Sequence, residues 1–452
     1  MKAVLLACCE NIEPAPLLFK LSESFSPALI RNTEGDNLSE SGDTTLLVIT
    51  NIGADYVELN ALPTDLICST EILWFLMSLE DFNAGGVGYT GDYTTQKKII
   101  SFNLPNNRLY LNTVTNLSIG EKVCLYSPFA NYKFLPGQTA AGVINSAGAP
   151  AWRDKYVQPG PVWYDTVNSR YIMLVNGRST IANKLQIGWA VSDDLITWTM
   201  QNGDAPIILT TDKAFFANNV FATGAPNFID DDTVAITVCC YDGSNNVRGA
   251  IIYFDKDMSG WTLPDTIAFN DIPCYGPSLI YFENKWHLTF LSIIGDISTS
   301  KFPHYTSDTI DSGYILEGYV YENEWDGNDS IFCEGYMAGH IMLEEEGELY
   351  LIGSGYSRYT MSGNRGNGVH GLFKYDKTGN TWYPHNTFPP EIINPFYFAA
   401  LGLDYDWASD HCGGCISIFK TDNGKCYYFT AMNNGSDTYQ VAALELINRA
   451  SP

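Results

Sequence analysis

Residues 185–200 read LQIGWAVSDDLITWTM. An alternating apolar run ends in Ser192, Asp193 and Asp194, and Trp198 follows four residues after the second acid. Standing alone, the paired acids invite a catalytic or metal-binding reading. Inside a repeat they become a polar turn between two strands. The rest of the chain decides for the repeat. From about residue 150 onward, a Gly that is often followed by Pro or a small residue opens an apolar strand. A polar turn and a second alternating, aromatic strand come next. The copies are GPVWYDTVNSRYIMLVNG from Gly160, GAPNFIDDDTVAITVCC from Gly224, GPSLIYFENKWHLTFLS from Gly276, GHIMLEEEGELYLIGSG from Gly339 and GCISIFKTDNGKCYYFT from Gly414. Each turn is rich in the Asp, Asn, Glu, Ser or Gly that hairpin connections use.

A third strand follows most copies: LQIGWAVSDD, RGAIIYFDKD, GYILEGYVYENE, HGLFKYDKTG and YQVAALELI. Several then reach a Trp that starts a short fourth strand, in ITWTM, SGWTL and GNTWYPH. Units of about four antiparallel strands over roughly 60 residues are the pattern of a radial propeller. The fold class expected is all-β: a five-bladed β-propeller over residues 152–452, preceded by a separate, mostly β N-terminal domain over 1–135. The small-residue stretch PGQTAAGVINSAGAPA (136–151) reads as the linker. Within the first domain, strands are expected at 44–52, 55–62, 97–104, 108–114 and 121–127, with one short helix at 69–82 capped by Ser69 or Thr70.

Composition narrows the function classes. Hydrophobic residues make up 45% of the 452, enough for a sizeable core, and the 28 Tyr, 23 Phe and 10 Trp favour strands. The 51 acids against 25 bases give a net charge of −26. Such a surface repels phosphate backbones and anionic lipid, so neither nucleic acid nor membrane insertion is an expected partner. It suits a glycan or a basic protein face. The 11 cysteines are odd in number and include the adjacent pairs Cys8–Cys9 and Cys239–Cys240, which reads as reduced thiols rather than a disulfide framework. MKAVLLACCE imitates a lipoprotein signal, but its apolar stretch runs only from Ala3 to Cys9; an ordinary first strand is expected, and with it a cytoplasmic or virion-associated protein.

Two features of the repeat resemble the five-bladed propellers of the furanosidase, xylosidase and fructosidase type of glycoside hydrolase. One is a strand pair that opens GP-x-W/L with a Tyr one or two residues on, as GPVWY and GPSLIY, and continues as RYIML at 170–174 and KWHLTFL at 285–291. The other is SDDLITW at 192–198. The resemblance covers about two thirds of the chain. It implies paired carboxylates around the propeller axis, one as base or nucleophile and one as general acid. Laid on that pattern, this chain has Gly160, Ala225 and Tyr275 where the three acids belong, so the usual mechanism is not matched. Other acids lie just upstream of the repeats: Asp154, Asp271, Glu334 and Asp410. They are the catalytic candidates, with Glu334 in FCEGYMAGH the candidate general acid, because neighbouring apolar side chains would raise its pKa.

Ligand contacts are expected from Trp163, Tyr275, Arg178, Tyr356, Arg358 and His340, with Trp152 as a further aromatic platform. The Gly-rich stretch 353–371 carries Tyr356 and Arg358 but no Gly-Lys-Ser/Thr, so it is not a phosphate loop. DHCGGC (410–415) falls short of four zinc ligands, and DDD (230–232) and DGND (326–329) lack the alternate oxygen spacing of a calcium loop. No cofactor is expected, with Ca2+ only a weak prospect. The functional expectation is a glycan-recognising or structural propeller docked through its N-terminal domain to other subunits of a larger assembly, such as a phage tail or fibre. The alternative is a glycoside hydrolase with a displaced acidic pair.

Overall fold

The computed structural model describes residues 28–29, 47–60, 74–78, 97–103, 106–111, 114–127, 132–135, 138, 141–269, 272–292, 301–322, 336–356, 369–384, 411–421, 424–433 and 438–446. Regular structure among them is antiparallel β with short 3-10 turns. The chain divides into two compact units. The first holds the described residues from Ala28 to Lys133 together with Leu446, and the second those from Phe134 to Glu445.

In the first unit the strands are β1 (Ala28–Leu29), β2 (Leu47–Ile52), β3 (Tyr56–Leu59), β4 (Trp74–Ser78), β5 (Lys97–Asn103), β6 (Arg108–Leu111) and β7 (Lys122–Ser127). Their order is β1-β7-β2-β3-β6-β5-β4, and β4 also pairs with β7. The pairings from β2 through β3, β6, β5, β4 and β7 back to β2 therefore form a closed circuit, which leaves no open edge among those strands. Ile49, Val57, Leu76, Ile99, Leu109 and Val123 fill its interior. The helix expected at 69–82 is not formed at Trp74–Ser78. That stretch is β4, paired on both sides with β5 and β7. Two sheet edges, offered to a run containing Trp and Phe, outweigh a capping signal.

Five four-stranded antiparallel sheets follow in the chain. The first comprises β9 (Tyr156–Asp165), β10 (Arg170–Arg178), β11 (Leu185–Ser192) and β12 (Thr199–Met200). The second comprises β13 (Asn219–Phe228), β14 (Thr233–Tyr241), β15 (Val247–Asp255) and β16 (Trp261–Thr262). The third comprises β17 (Tyr275–Phe282), β18 (Lys285–Leu291), β19 (Lys301–Ser307) and β20 (Ile315–Glu322). The fourth comprises β21 (Tyr336–Glu345), β22 (Glu348–Tyr356), β23 (Val369–Asp376) and β24 (Thr381–Pro384). The fifth has β25 (His411–Lys420), β26 (Cys426–Asn433) and β27 (Gln440–Leu446), and its fourth strand is β8 (Tyr132–Phe134). The first strands follow one another around a ring: β9 beside β13, β13 beside β17, β17 beside β21, β21 beside β25, and β25 beside β9. The arrangement is propeller-like.

Two sequence expectations change here. In the third sheet GYILEGYVYENE supplies the fourth strand. The third strand is β19, which the sequence hid behind Pro303. The register shifts between Phe302 and Pro303, where a proline does least harm to a ladder. The stretch 136–151 is also no free linker in its described part. Leu135 N donates to Ala443 O at 3.1 Å, Val143 N to Val441 O at 2.8 Å and Val441 N to Ile144 O at 2.9 Å. The Gln138 amide bonds Ala443 on both its N–H and C=O. This early segment is bound along the last strand.

The repeated glycine lies inside the first strand, at a bulge, rather than at the strand's start. Register shifts fall between Met173 and Val175 (opposite Gly160–Pro161), Thr223 and Asn227, Tyr275 and Ser278, Met337 and Gly339, and Cys412 and Ile416. A bulge adds unpaired residues to one strand and sharpens its bend, which first strands need where they converge. Buried polar side chains join neighbouring sheets at this level. Asn176 Nδ2 donates to Ala222 O at 2.9 Å and its Oδ1 accepts from Ala222 N at 2.8 Å. Thr237 Oγ1 lies 2.8 Å from Thr223 O and 3.0 Å from Pro277 O. Ser278 Oγ accepts from Met342 N at 2.9 Å, and Thr289 Oγ1 meets His340 Nε2 at 2.6 Å.

Gly224 has φ +70°, and a Cβ there would sit 2.9 Å from Thr237 Oγ1 and 3.1 Å from Ser278 Cα. Gly276 has φ +60° with no atom within 4 Å of a Cβ. Gly224→Ala is therefore expected to lower stability by about 3 kcal/mol and Gly276→Ala by about 1 kcal/mol, strain adding to a clash only in the first. Denaturant titration of both variants checks the ranking.

A second expectation concerns pH. His287 Nδ1 and His304 Nε2 share a hydrogen bond of 2.9 Å between stacked, buried rings, walled by Tyr375 and Trp382. Burial holds His287 at about 4, and burial with the neighbouring imidazole holds His304 at about 3. Burial likewise holds His340 at about 3. The unfolded chain takes up these protons near 6.5, whereas the folded chain stays neutral. Their contribution to stability is thus full above pH 6.5 and declines as pH falls toward 4–3. A falling melting temperature between pH 6.5 and 5, flattened in His304→Phe, is the expected result.

Candidate functional site

Antiparallel pairing brings the starts of the first strands and the ends of the second strands to one end of the ring. Arg178, the last residue of β10, stands opposite Tyr156, the first of β9. Tyr241 ends β14 and Tyr275 begins β17. Tyr439, just before β27, and Cys415, in the bulge of β25, belong to the same packed cluster as Tyr156, Phe221 and Cys239. Arg178 Nη1 donates to Tyr156 Oη at 2.8 Å, and its guanidinium lies 5.3 Å over that ring. Tyr275 stands edge-on to Phe221 at 6.0 Å and to Tyr241 at 6.4 Å, and Tyr156 meets Tyr439 at 5.5 Å. The Cys415 thiol lies 3.2 Å from Gln158 Oε1.

Burial sets the charge of this end. It pushes the Cys415 thiol up to about 12 and the Cys239 thiol and Tyr275 phenol well above their usual ranges. Tyr241 is also raised by burial, then by Cys239 and Tyr156, with Arg178 pulling the other way. The Cys239 and Cys415 thiols and the Tyr241 and Tyr275 phenols are therefore neutral at ordinary pH. Arg178 brings a formal positive charge to the cluster.

The sequence candidates divide accordingly. Tyr275 and Arg178 are brought together. Trp163 is not at this end: it is 1% exposed and donates from Nε1 to Lys256 O at 2.8 Å, between the first two sheets. Trp152 is buried with its indole N–H on Asp204 O at 2.7 Å. His340 is a core residue against Phe302, bonded to Thr289. For these three, packing between sheets overrides the appeal of an aromatic or imidazole group beside a repeat start. Asp154 accepts from Thr180 N at 2.6 Å and forms no ion pair with Arg178, so it serves a loop. Asp271, Glu334, Asp410 and Arg358, and the side chain of Tyr356, lie outside the described residues. Sequence reading missed Tyr156, Tyr241 and Tyr439. The available signal for Tyr156 was a Tyr shortly before a repeat glycine, four residues before Gly160, as Tyr275 stands immediately before Gly276.

The paired acids of SDDLITW are resolved as a turn. Burial would raise the Asp194 carboxyl, but bonds from the Thr197 and Ile196 amides and from Ser192 keep it below its usual value. Trp198 packs edge-on against Phe429 of the fifth sheet at 5.8 Å. Asp230 of the DDD stretch likewise accepts from Asp232 N and Thr233 N across a hairpin. No group of three or more His, Cys, Asp or Glu among the described residues is placed to hold a metal ion, and no described helix is long and apolar enough to cross a membrane.

Comparison with solved structures finds a candidate glycoside hydrolase from Bacteroides ovatus at 14% identity and a TM-score of 0.50, covering 71% of this chain and 97% of that one. A glycosyl hydrolase from the same organism follows at 12% identity and 0.49, covering 70% and 94%. A β-fructofuranosidase of Bombyx mori matches at 13% and 0.45, covering 70% and 65%. No family model and no curated protein matches the sequence. At this identity the likeness to the first of these, at a TM-score of 0.50, bears on the fold alone and not on the chemistry.

Asp194→Ala is expected to cost about 1–2 kcal/mol by freeing two turn amides, with ligand binding unchanged. Thermal unfolding beside a sugar-binding assay checks both halves.

Proposed function

We propose that the chain is a glycan-active protein of the five-bladed propeller type, with its sugar site at the ring end where the first strands begin. The observation that carries this is the cluster of Tyr156, Tyr241, Tyr275 and Tyr439 around Arg178 on such a scaffold. Phenol faces suit the C–H faces of a sugar ring, while phenol hydroxyls and a guanidinium suit its oxygens. The acids Asp271, Glu334 and Asp410 precede β17, β21 and β25 in sequence by four, two and one residues. That placement supports glycoside hydrolysis by a displaced acidic pair, which the chemistry of glycosidic cleavage requires.

A second reading, recognition without cleavage, is favoured by Gly160, Ala225 and Tyr275 standing where the resemblance calls for carboxylates. The virion setting and docking role draw no support from the fold or the comparisons and are set aside.

The test is turnover of a panel of aryl glycosides and oligosaccharides by the wild type and by Asp271→Asn, Glu334→Gln and Asp410→Asn. Loss of about 100-fold or more in at least two variants is expected. Sugar binding without turnover in the wild type selects the second reading. Neither binding nor turnover overturns the proposal.

A further inference from the structure

Arg178 differs from other arginines of the chain. Arg108, Arg153 and Arg170 each face a carboxylate, at 2.5, 2.5 and 3.2 Å. Arg178 faces none among the described residues. Its Nε donates to Asn183 O at 3.3 Å and its Nη1 to Tyr156 Oη at 2.8 Å, which hold the guanidinium plane over the Tyr156 ring. Among the described residues the Nη2 hydrogens and one on Nη1 are left as an open edge. That edge is the geometry that receives a carboxylate through two parallel bonds.

We propose that the glycan taken at this ring end carries a carboxylate, as a uronic acid does, and that Arg178 is the residue that selects it. The inference rests on the reading of this end as a sugar site. A neutral sugar laid over Arg178 would strip water from the guanidinium and return only hydroxyl contacts. A carboxylate returns an ion pair and two bonds in the same space. Burial keeps the Tyr241 and Tyr275 phenols protonated, and since the two share one hydrogen bond, one hydroxyl is left to donate to a carboxylate oxygen. The net charge of −26 repels anions at long range, but that field is screened beyond about 8 Å at physiological ionic strength, so the local pair decides.

The experiment is calorimetric titration of the full chain with matched oligosaccharides, neutral hexose against the corresponding uronate, for the wild type, Arg178→Gln and Arg178→Lys. The wild type is expected to bind the uronate at least about tenfold tighter, a charge-assisted bond's worth. Arg178→Gln should weaken the uronate about tenfold more than the neutral sugar, which brings the pair level. Arg178→Lys should retain part of the preference, and decides the matter if Arg178→Gln melts early. Equal or tighter binding of the neutral sugar by the wild type, or a preference that survives Arg178→Gln, overturns this inference while the sugar site stands. Displacement by inorganic phosphate as effective as the uronate also overturns it. Binding of neither sugar removes the sugar site and this inference together.

Discussion

The second unit depends on one recurrent constraint: a bulged first strand held to its neighbour by a buried polar side chain. Asn176, Thr237, Thr289 and Ser278 are each 1% exposed or less. Water cannot replace what they bond, so every one of these contacts is made or costs on the order of 1–3 kcal/mol. Each first strand ends its own sheet, so backbone groups such as those of Ala222 and Met342 have no further strand of that sheet to bond, and the polar side chains take them up. Apolar packing alone would hold the sheets together without setting their mutual register. These bonds set it, and thereby place Tyr156, Tyr241 and Tyr275 on three different strands at one end.

Much of this was legible from residues. The alternating runs, the acidic turns and the Trp opening a short outer strand each have a local physical cause, so they survive without tertiary information. Asp194 is an example: a carboxylate two and three residues before free amides makes a turn in any context. What was hidden has non-local causes. β19 carries a proline that its bulge tolerates, and β4 becomes a strand because two edges wait for it. The stretch 136–151 looks like a spacer until the last strand is laid beside it.

The candidate site was legible in part for the same reason. Tyr275 and Arg178 could be selected by type and by position near a repeat. Trp163 and His340 satisfied the same criteria and proved to be core, because position along the sequence does not say which side of a strand faces a neighbouring sheet. Tyr241 and Tyr439 stand at a strand's end or just before a strand's start, where no periodic signal distinguishes them. Their relevance appears only when five sheets converge.

The pairing of the segment after Phe134 with β27 has a consequence for how the chain reaches this state. The partners of Leu135, Gln138 and Val143 are Val441 and Ala443, about three hundred residues later in synthesis. Contacts so distant in sequence slow folding, since the ends must meet before the bonds are gained. During translation the first four sheets can assemble in order while the fifth waits, its early segment exposing unpaired backbone. The ring is thus a latch that stays open until the last strand emerges, and that interval is when the nascent chain is most exposed to aggregation.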